Sequence, residues 1–127
     1  MRVIVVRHAE AAPGEPDELR ALTQEGRESA HALSARLAAK NLDAVVSSPL
    51  LRARETAAAI AAASALEPQV DPRLAPGADV DDIVAAVAGR GDTVVVVGHQ
   101  PDCSEVVFAL TGRETSFPPA GTAEVEL

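Results

Sequence analysis

Arg7-His8, Arg52 and His99 each stand at or just past the end of an apolar, β-branched run. Arg7-His8 follow Val3-Ile4-Val5-Val6. Arg52 follows Ala44-Val45-Val46 by way of Ser47-Ser48-Pro49, and His99 follows Val94-Val95-Val96-Val97 and Gly98. If those runs are parallel strands of one sheet, their carboxyl ends share one edge, where open α/β sheets bind ligands. Two imidazoles and two guanidiniums meeting there suit a phosphoryl group. The planar fork of arginine matches phosphate oxygens two at a time. Positioning and electrostatics supply most of the catalysis of phosphoryl transfer. A histidine nitrogen can be the nucleophile, giving a covalent phosphohistidine that water then clears. A proton must often reach the leaving atom. This residue set requires no metal.

The elements that must position these residues alternate along the chain. Arg2–Val6 reads as a buried strand. Residues 9–22, with prolines, a glycine and acidic residues, read as a loop. Thr23 is a helix N-cap, with Glu25 in the first turn, for a helix running to about Lys40 with Ala30, Leu33 and Leu37 inward. Leu42–Ser47 is the second strand. Ser48-Pro49 supplies an N-cap and a first-turn proline for a helix with Leu50, Ala57 and Ile60 on one face. Pro68–Asp71 is a short strand and Arg73–Ala78 a loop. Asp79 caps a third helix with Val80, Ile83, Val84 and Val87 as its apolar stripe, ended by Gly89 and Gly91. Thr93–Val97 is the fourth strand. Pro101 opens a last helix with Cys103, Val106, Val107 and Leu110 on one face and Gly112 as its stop. Gly121–Leu127 alternates weakly, as an edge strand does. This order predicts an α/β fold: a three-layer α/β/α sandwich with a mostly parallel central sheet and right-handed crossovers. The helices opening near Pro49 and Pro101 are expected to aim their amino ends at one phosphate.

A chain of 127 residues fits one domain, residues 1–127, and can build a core without a disulfide or metal staple. Its one cysteine, Cys103, has no internal partner, nothing resembles a zinc cluster, and no secretory segment is visible, so cytoplasmic residence is expected. The net charge of −8, with no basic block, argues against nucleic acid or an anionic membrane as partner. An aromatic content of 2% argues against a base- or sugar-stacking platform.

Four segments together resemble the histidine phosphatase superfamily, with its phosphoglycerate mutase-like fold. They are Val5-Val6-Arg7-His8-Ala9-Glu10, Leu22-Thr23-Gln24-Glu25-Gly26, Ser47-Ser48-Pro49-Leu50-Leu51-Arg52-Ala53-Arg54-Glu55-Thr56-Ala57, and Val97-Gly98-His99. They occur in the family's order and span nearly the whole chain. The resemblance implies that His8 is the phosphorylated nucleophile, that Arg7 and Arg52 hold the phosphate, and that His99 stabilises transition-state charge in the same pocket. It implies no cofactor and no metal. Arg54, two positions beyond Arg52, lies about 200° around the helix and faces elsewhere. The short stretch between Arg52 and His99 leaves no room for the helical cap of larger members. That is similar to the SixA-type phosphohistidine phosphatases, whose substrate is a phosphorylated histidine of a signalling protein. The expected partner is therefore a phosphate-bearing substrate, such as a histidine-phosphorylated phosphotransfer protein.

Many ester-cleaving members carry a glutamate in the region before the last catalytic strand. Here that stretch is Pro72-Arg73-Leu74-Ala75-Pro76-Gly77-Ala78-Asp79, with none. Imidazole leaves more readily than an alkoxide, so the missing acid favours a phosphoramidate substrate. Asp79, Asp81 or Glu10 remain candidates for proton donor. The alternatives are a small-molecule phosphomonoesterase and a catalytically silent module that binds phosphate or a phosphoprotein. The simplest reading of Asp79, Asp81, Asp82, Asp102 and Glu105 is charge in the first turn of a helix. Ser48 reads as a cap, and either Ser47 or Ser48 could also touch the phosphate rim. His31 reads as a solvated surface histidine, and Cys103 as a small buried hydrophobe.

Overall fold

A computed structural model describes residues 1–127. The strands are β1 (Arg2–Arg7), β2 (Ala44–Ser47), β3 (Gln69–Val70), β4 (Thr93–Gly98) and β5 (Thr122–Glu126). The helices are α1 (Gln24–Ala38), α2 (Leu51–Ala63), α3 (Val80–Val87) and α4 (Asp102–Thr111). The sheet order is β3-β2-β4-β1-β5. All pairs are parallel except β1 with β5, which is antiparallel. The three-layer α/β/α sandwich expected from the sequence is the architecture found.

Alternation along the strands builds two cores, because successive side chains leave a sheet on opposite faces. Val3, Val5, Ala44, Val46, Val94 and Val96 pack with Ile83, Ala86 and Val87 of α3 and Cys103, Val106 and Val107 of α4. Ile4, Val6, Val45, Val95 and Val97 face Leu33 and Leu37 of α1 and Ala53, Ala57 and Ile60 of α2. The valine runs are continuous in sequence because both faces of the central strands are covered. In α3 the inward face is Ile83, Ala86 and Val87, while Val84 is exposed, contrary to the expected stripe. A helix of this length has one narrow contact line, and Ile83 lies at its centre.

Thr23 caps α1 as expected, its hydroxyl accepting from the Gly26 amide at 2.9 Å. Gly26 is buried where α1 meets the chain after β1, and a Cβ there would strike the Glu10 carbonyl oxygen. Asp79 caps α3 in a reciprocal capping box with Asp82. Ser48-Pro49 does not open α2. That helix starts at Leu51 after Leu50, which makes no side-chain cap. One short 3-10 turn, Asp17–Leu19, lies in the first stretch read as a loop, and another, Pro72–Leu74, overlaps the start of the second.

Candidate active site

The three central strands end level with one another. Val6 of β1 and Ser47 of β2 both pair with Val97 of β4. The ladder runs one step further, with the His8 amide bonded to the Gly98 carbonyl and the Ser48 amide to the Val97 carbonyl, each at 3.0 Å. His8, Ser48 and His99 therefore emerge side by side from β1, β2 and β4. The His8 and His99 rings lie 5.3 Å apart between centroids, tilted by 57°.

His8 Nδ1 is 2.7 Å from the Ala9 carbonyl oxygen. A carbonyl only accepts, so Nδ1 carries the proton and Nε2 keeps its lone pair. That is the tautomer a nucleophile at Nε2 needs. Burial holds the His8 pKa below its ordinary value. The Ala9 hydrogen bond opposes this, and the charges of Arg52, Arg7 and Arg20 add to it. His99 is 4% exposed and backs onto an apolar recess lined by Val5, Leu74, Ala78 and Val96. Burial there, with the His8 and Arg52 charges, pushes its pKa down to about 4, against a small opposing pull from Asp17. His99 Nε2 lies 2.7 Å from Ser48 Oγ. The Ser48 hydroxyl also accepts from the Leu50 amide at 3.2 Å. Ser48 thus fixes the ring of His99 instead of capping α2.

Both imidazoles are neutral at neutral pH, and the sign of two pH effects follows. The acid limb of kcat/KM is expected below 6.5, the ordinary histidine value, because protonating His8 removes the lone pair on Nε2. Folding stability is complete above 6.5, where unfolded histidine is already neutral, and is lost as pH falls from there toward about 4. Urea titrations at neutral and mildly acid pH check this. His99→Asn should lose less stability on acidification than wild type; an equal loss would remove His99 as the cause.

Arg7 ends β1 and donates through Nη1 to the Phe117 carbonyl at 2.9 Å, while its buried Nε has no protein acceptor. The main chain around it is held by the segment preceding β5, through Arg7 N to Gly121 O and Ala120 N to the Arg7 and His8 carbonyls. Arg52, in the first turn of α2, is 7% exposed. Its Nη1 meets the Asp17 main-chain oxygen at 2.9 Å, and its Nη2 meets Asp17 Oδ2 at 3.2 Å. Asp17 Oδ1 accepts from Arg20 Nη1 at 2.9 Å, and that bond, more than the Arg52 bond, keeps the carboxyl below its ordinary pKa. Sequence reasoning missed Asp17 and Arg20. Nothing in their types or spacing separates them from a solvated loop.

A buried hydroxyl joins the His8 loop to Arg52. Thr56 Oγ1 accepts from the Ala9 amide at 3.0 Å and donates to the Arg52 carbonyl at 2.8 Å. A hydroxyl four residues after Arg52 on the same helix was the available signal. Thr56→Val strands the Ala9 amide, and is expected to cost about 1–3 kcal/mol of stability. The shifted His8–Arg52 geometry should also lower kcat/KM by about tenfold or more. Thr56→Ser should restore both, as denaturant titration and steady-state rates would show.

The proton-donor candidates lie in other bonds. The Asp79 carboxylate is engaged in the α3 capping box, and Glu10 Oε1 accepts the Thr23 hydroxyl at 2.8 Å. Both residues are exposed. The expectation that α4 offers its first amides to phosphate needs correction. The Cys103 amide bonds the His99 carbonyl and the Ser104 amide bonds Gln100 Oε1, so this turn holds the His99 loop. Arg54 points away and bonds the Pro49 carbonyl. His31 is exposed, and Cys103 is buried with its thiol pKa pushed up to about 12.

Two neutral imidazoles beside arginines at the carboxyl edge of a parallel sheet define an α/β protein built for phosphoryl groups. The model of the histidine phosphatase superfamily (branch 1) matches residues 3–76, and the chain belongs to this family of phosphatases. A curated relative, an uncharacterized protein of Picosynechococcus sp., is 34% identical over 95% of this chain and 82% of its own length. The structure of the protein histidine phosphatase SixA complexed with tungstate aligns with a TM-score of 0.89 at 29% identity, covering 100% of this chain and 88% of that one. A protein of Agrobacterium tumefaciens assigned as a phosphohistidine phosphatase SixA gives a TM-score of 0.82 at 27% identity, covering 97% and 89%. No helix is long and apolar enough to cross a membrane.

Proposed function

We propose that this chain, acting as one domain in the cytoplasm, is a protein phosphohistidine phosphatase with His8 as nucleophile. The observation that carries the reading is the His8–His99 pair, 5.3 Å apart, with Nδ1 of His8 protonated toward Ala9 and Nε2 left basic. Nε2 attacks phosphorus, and the bond from phosphorus to the substrate imidazole breaks. A proton on the remote nitrogen of that imidazole lets it leave neutral, so no acid at the scissile bond is required. Water then attacks the phosphorus on His8, releasing orthophosphate and restoring the neutral ring. Arg7, Arg52 and His99 offset the charge gathering on the equatorial oxygens.

Two features favour a phosphoramidate on a folded partner over an alkyl ester. From Arg52 to His99 the chain passes only through α2, β3, the Pro72–Leu74 turn, α3 and β4, all within the layers of the fold. The recess beside His99 is walled by Leu74 and Ala78, neither of which could protonate an alkoxide. The carboxylate nearest in chain on that wall, Asp102, spends Oδ2 on the Gly77 amide at 2.8 Å. The likeness to SixA supports the same substrate class.

The test compares phosphate release from a histidine-phosphorylated phosphotransfer protein with release from a small alkyl phosphate. Preference for the phosphoprotein supports the reading. Equal or better turnover of the ester would replace it with a metabolite phosphatase. Failure to release phosphate from either, with tight binding of the phosphoprotein, would leave a binding module.

A further inference from the structure

Arg52, the arginine assigned to the phosphoryl oxygens, already holds a carboxylate. Asp17 takes both terminal nitrogens, one through its main-chain oxygen at 2.9 Å and one through Oδ2 at 3.2 Å. The two partners differ sharply in setting. The Arg52 side chain is 8% exposed and that of Asp17 is 58% exposed. Asp17 opens a 3-10 turn in which no residue is buried. That turn sits in a loop closed at its base by the Ala11–Leu22 bridge and by Arg20 Nε on the Ala12 carbonyl. The carboxylate's remaining partner, Arg20, belongs to the same loop. The Asp17–Arg52 contact therefore ties a surface turn to a buried clamp without core packing behind it.

A guanidinium has one fork, and two anions compete for it. Releasing Asp17 from Arg52 leaves the carboxylate paired to Arg20, so the loop can let go without stranding a charge. Resting on the reading of Arg52 as the phosphate ligand, we propose that Asp17 is an internal competitor for the phosphoryl site. It must be displaced from Arg52 before phosphoryl oxygens take both nitrogens, and it lowers the affinity for every oxyanion by the fraction of time it holds the clamp. Its benefit falls on the product: orthophosphate, which has no partner protein to add contacts, is held less tightly and clears sooner.

The opposite reading makes Asp17 a brace that aims Arg52 at the substrate, and the two differ in sign. The experiment is calorimetric titration of wild type, Asp17→Asn and Asp17→Ala with inorganic phosphate at low salt, alongside product inhibition by phosphate. A half-exposed ion pair converts to a change of about three- to fivefold in affinity. Competition predicts that phosphate binds about three- to fivefold more tightly to Asp17→Ala, with stronger product inhibition and little change in kcat. Asp17→Asn should fall between, because its amide oxygen still accepts from Arg52. Unchanged or weaker phosphate binding by Asp17→Ala, with measurable binding by wild type, overturns the competitor and leaves the proposed activity standing. No phosphate binding by any of the three overturns the competitor together with the phosphate assignment of Arg52. Asp17 lies outside the core, so both variants should fold.

Discussion

Replacing His8 with alanine is expected to lower phosphohistidine hydrolysis by about 10⁴-fold or more, because the proposed mechanism loses its nucleophile and with it the covalent route. The remaining Arg7, Arg52 and His99 would still bind and polarise a phosphoryl group, so binding should outlast turnover. Two measurements separate the nucleophile from a merely supportive role. Quenching wild type with alkaline detergent during turnover of a radiolabelled phosphoprotein should trap a base-stable, acid-labile phosphoenzyme, and His8→Ala should trap none. His8→Asn keeps a hydrogen bond to the Ala9 carbonyl but has no basic nitrogen, and should be as inactive as alanine. A trapped phosphoenzyme in either variant would place the nucleophile elsewhere. His8 is only partly buried, so a wild-type unfolding midpoint in the variants is a fair control.

The second large effect belongs to Arg52. Arg52→Ala is expected to lower kcat by about 10³-fold, in the range found when a preorganised cation or oxyanion donor is removed. The loss should fall on kcat and kcat/KM together, since the charge on the equatorial oxygens is greatest in the transition state. Arg52→Lys keeps the charge but loses the fork, and should recover only part of the loss. Full recovery in lysine would show that charge alone suffices. Arg52 is nearly buried and its carbonyl is tied to Thr56, so the variants need the same folding control.

The sheet and its helices were legible in the sequence because their signals are local. Four valines in a row between turn residues can be little else than a strand covered on both faces. Thr23 and Asp79 announced α1 and α3 by their capping chemistry, and Gly112 closes α4 in the left-handed conformation at φ 72°. Ser48-Pro49 misled because the same serine that suits a cap also suits a hydrogen bond to an imidazole. Its partner His99 lies 51 residues away, and no local pattern announces it.

The site divides in the same way. Arg7, His8, Arg52 and His99 could be named from sequence alone, because each follows a strand or opens a helix after one. Parallel pairing then carries all strand ends to one edge. The sequence by itself therefore determined the layers and which four side chains stand at that edge. Only the tertiary structure decided what each one meets: Ala9 sets the His8 tautomer, Ser48 meets His99, Thr56 joins the His8 loop to Arg52, and Asp17 occupies the Arg52 fork. Most of these bonds join residues 35 to 51 positions apart in the chain. Periodicity and capping report on a few residues at a time. Pairings across such separations exist only once the sheet has brought its edges together.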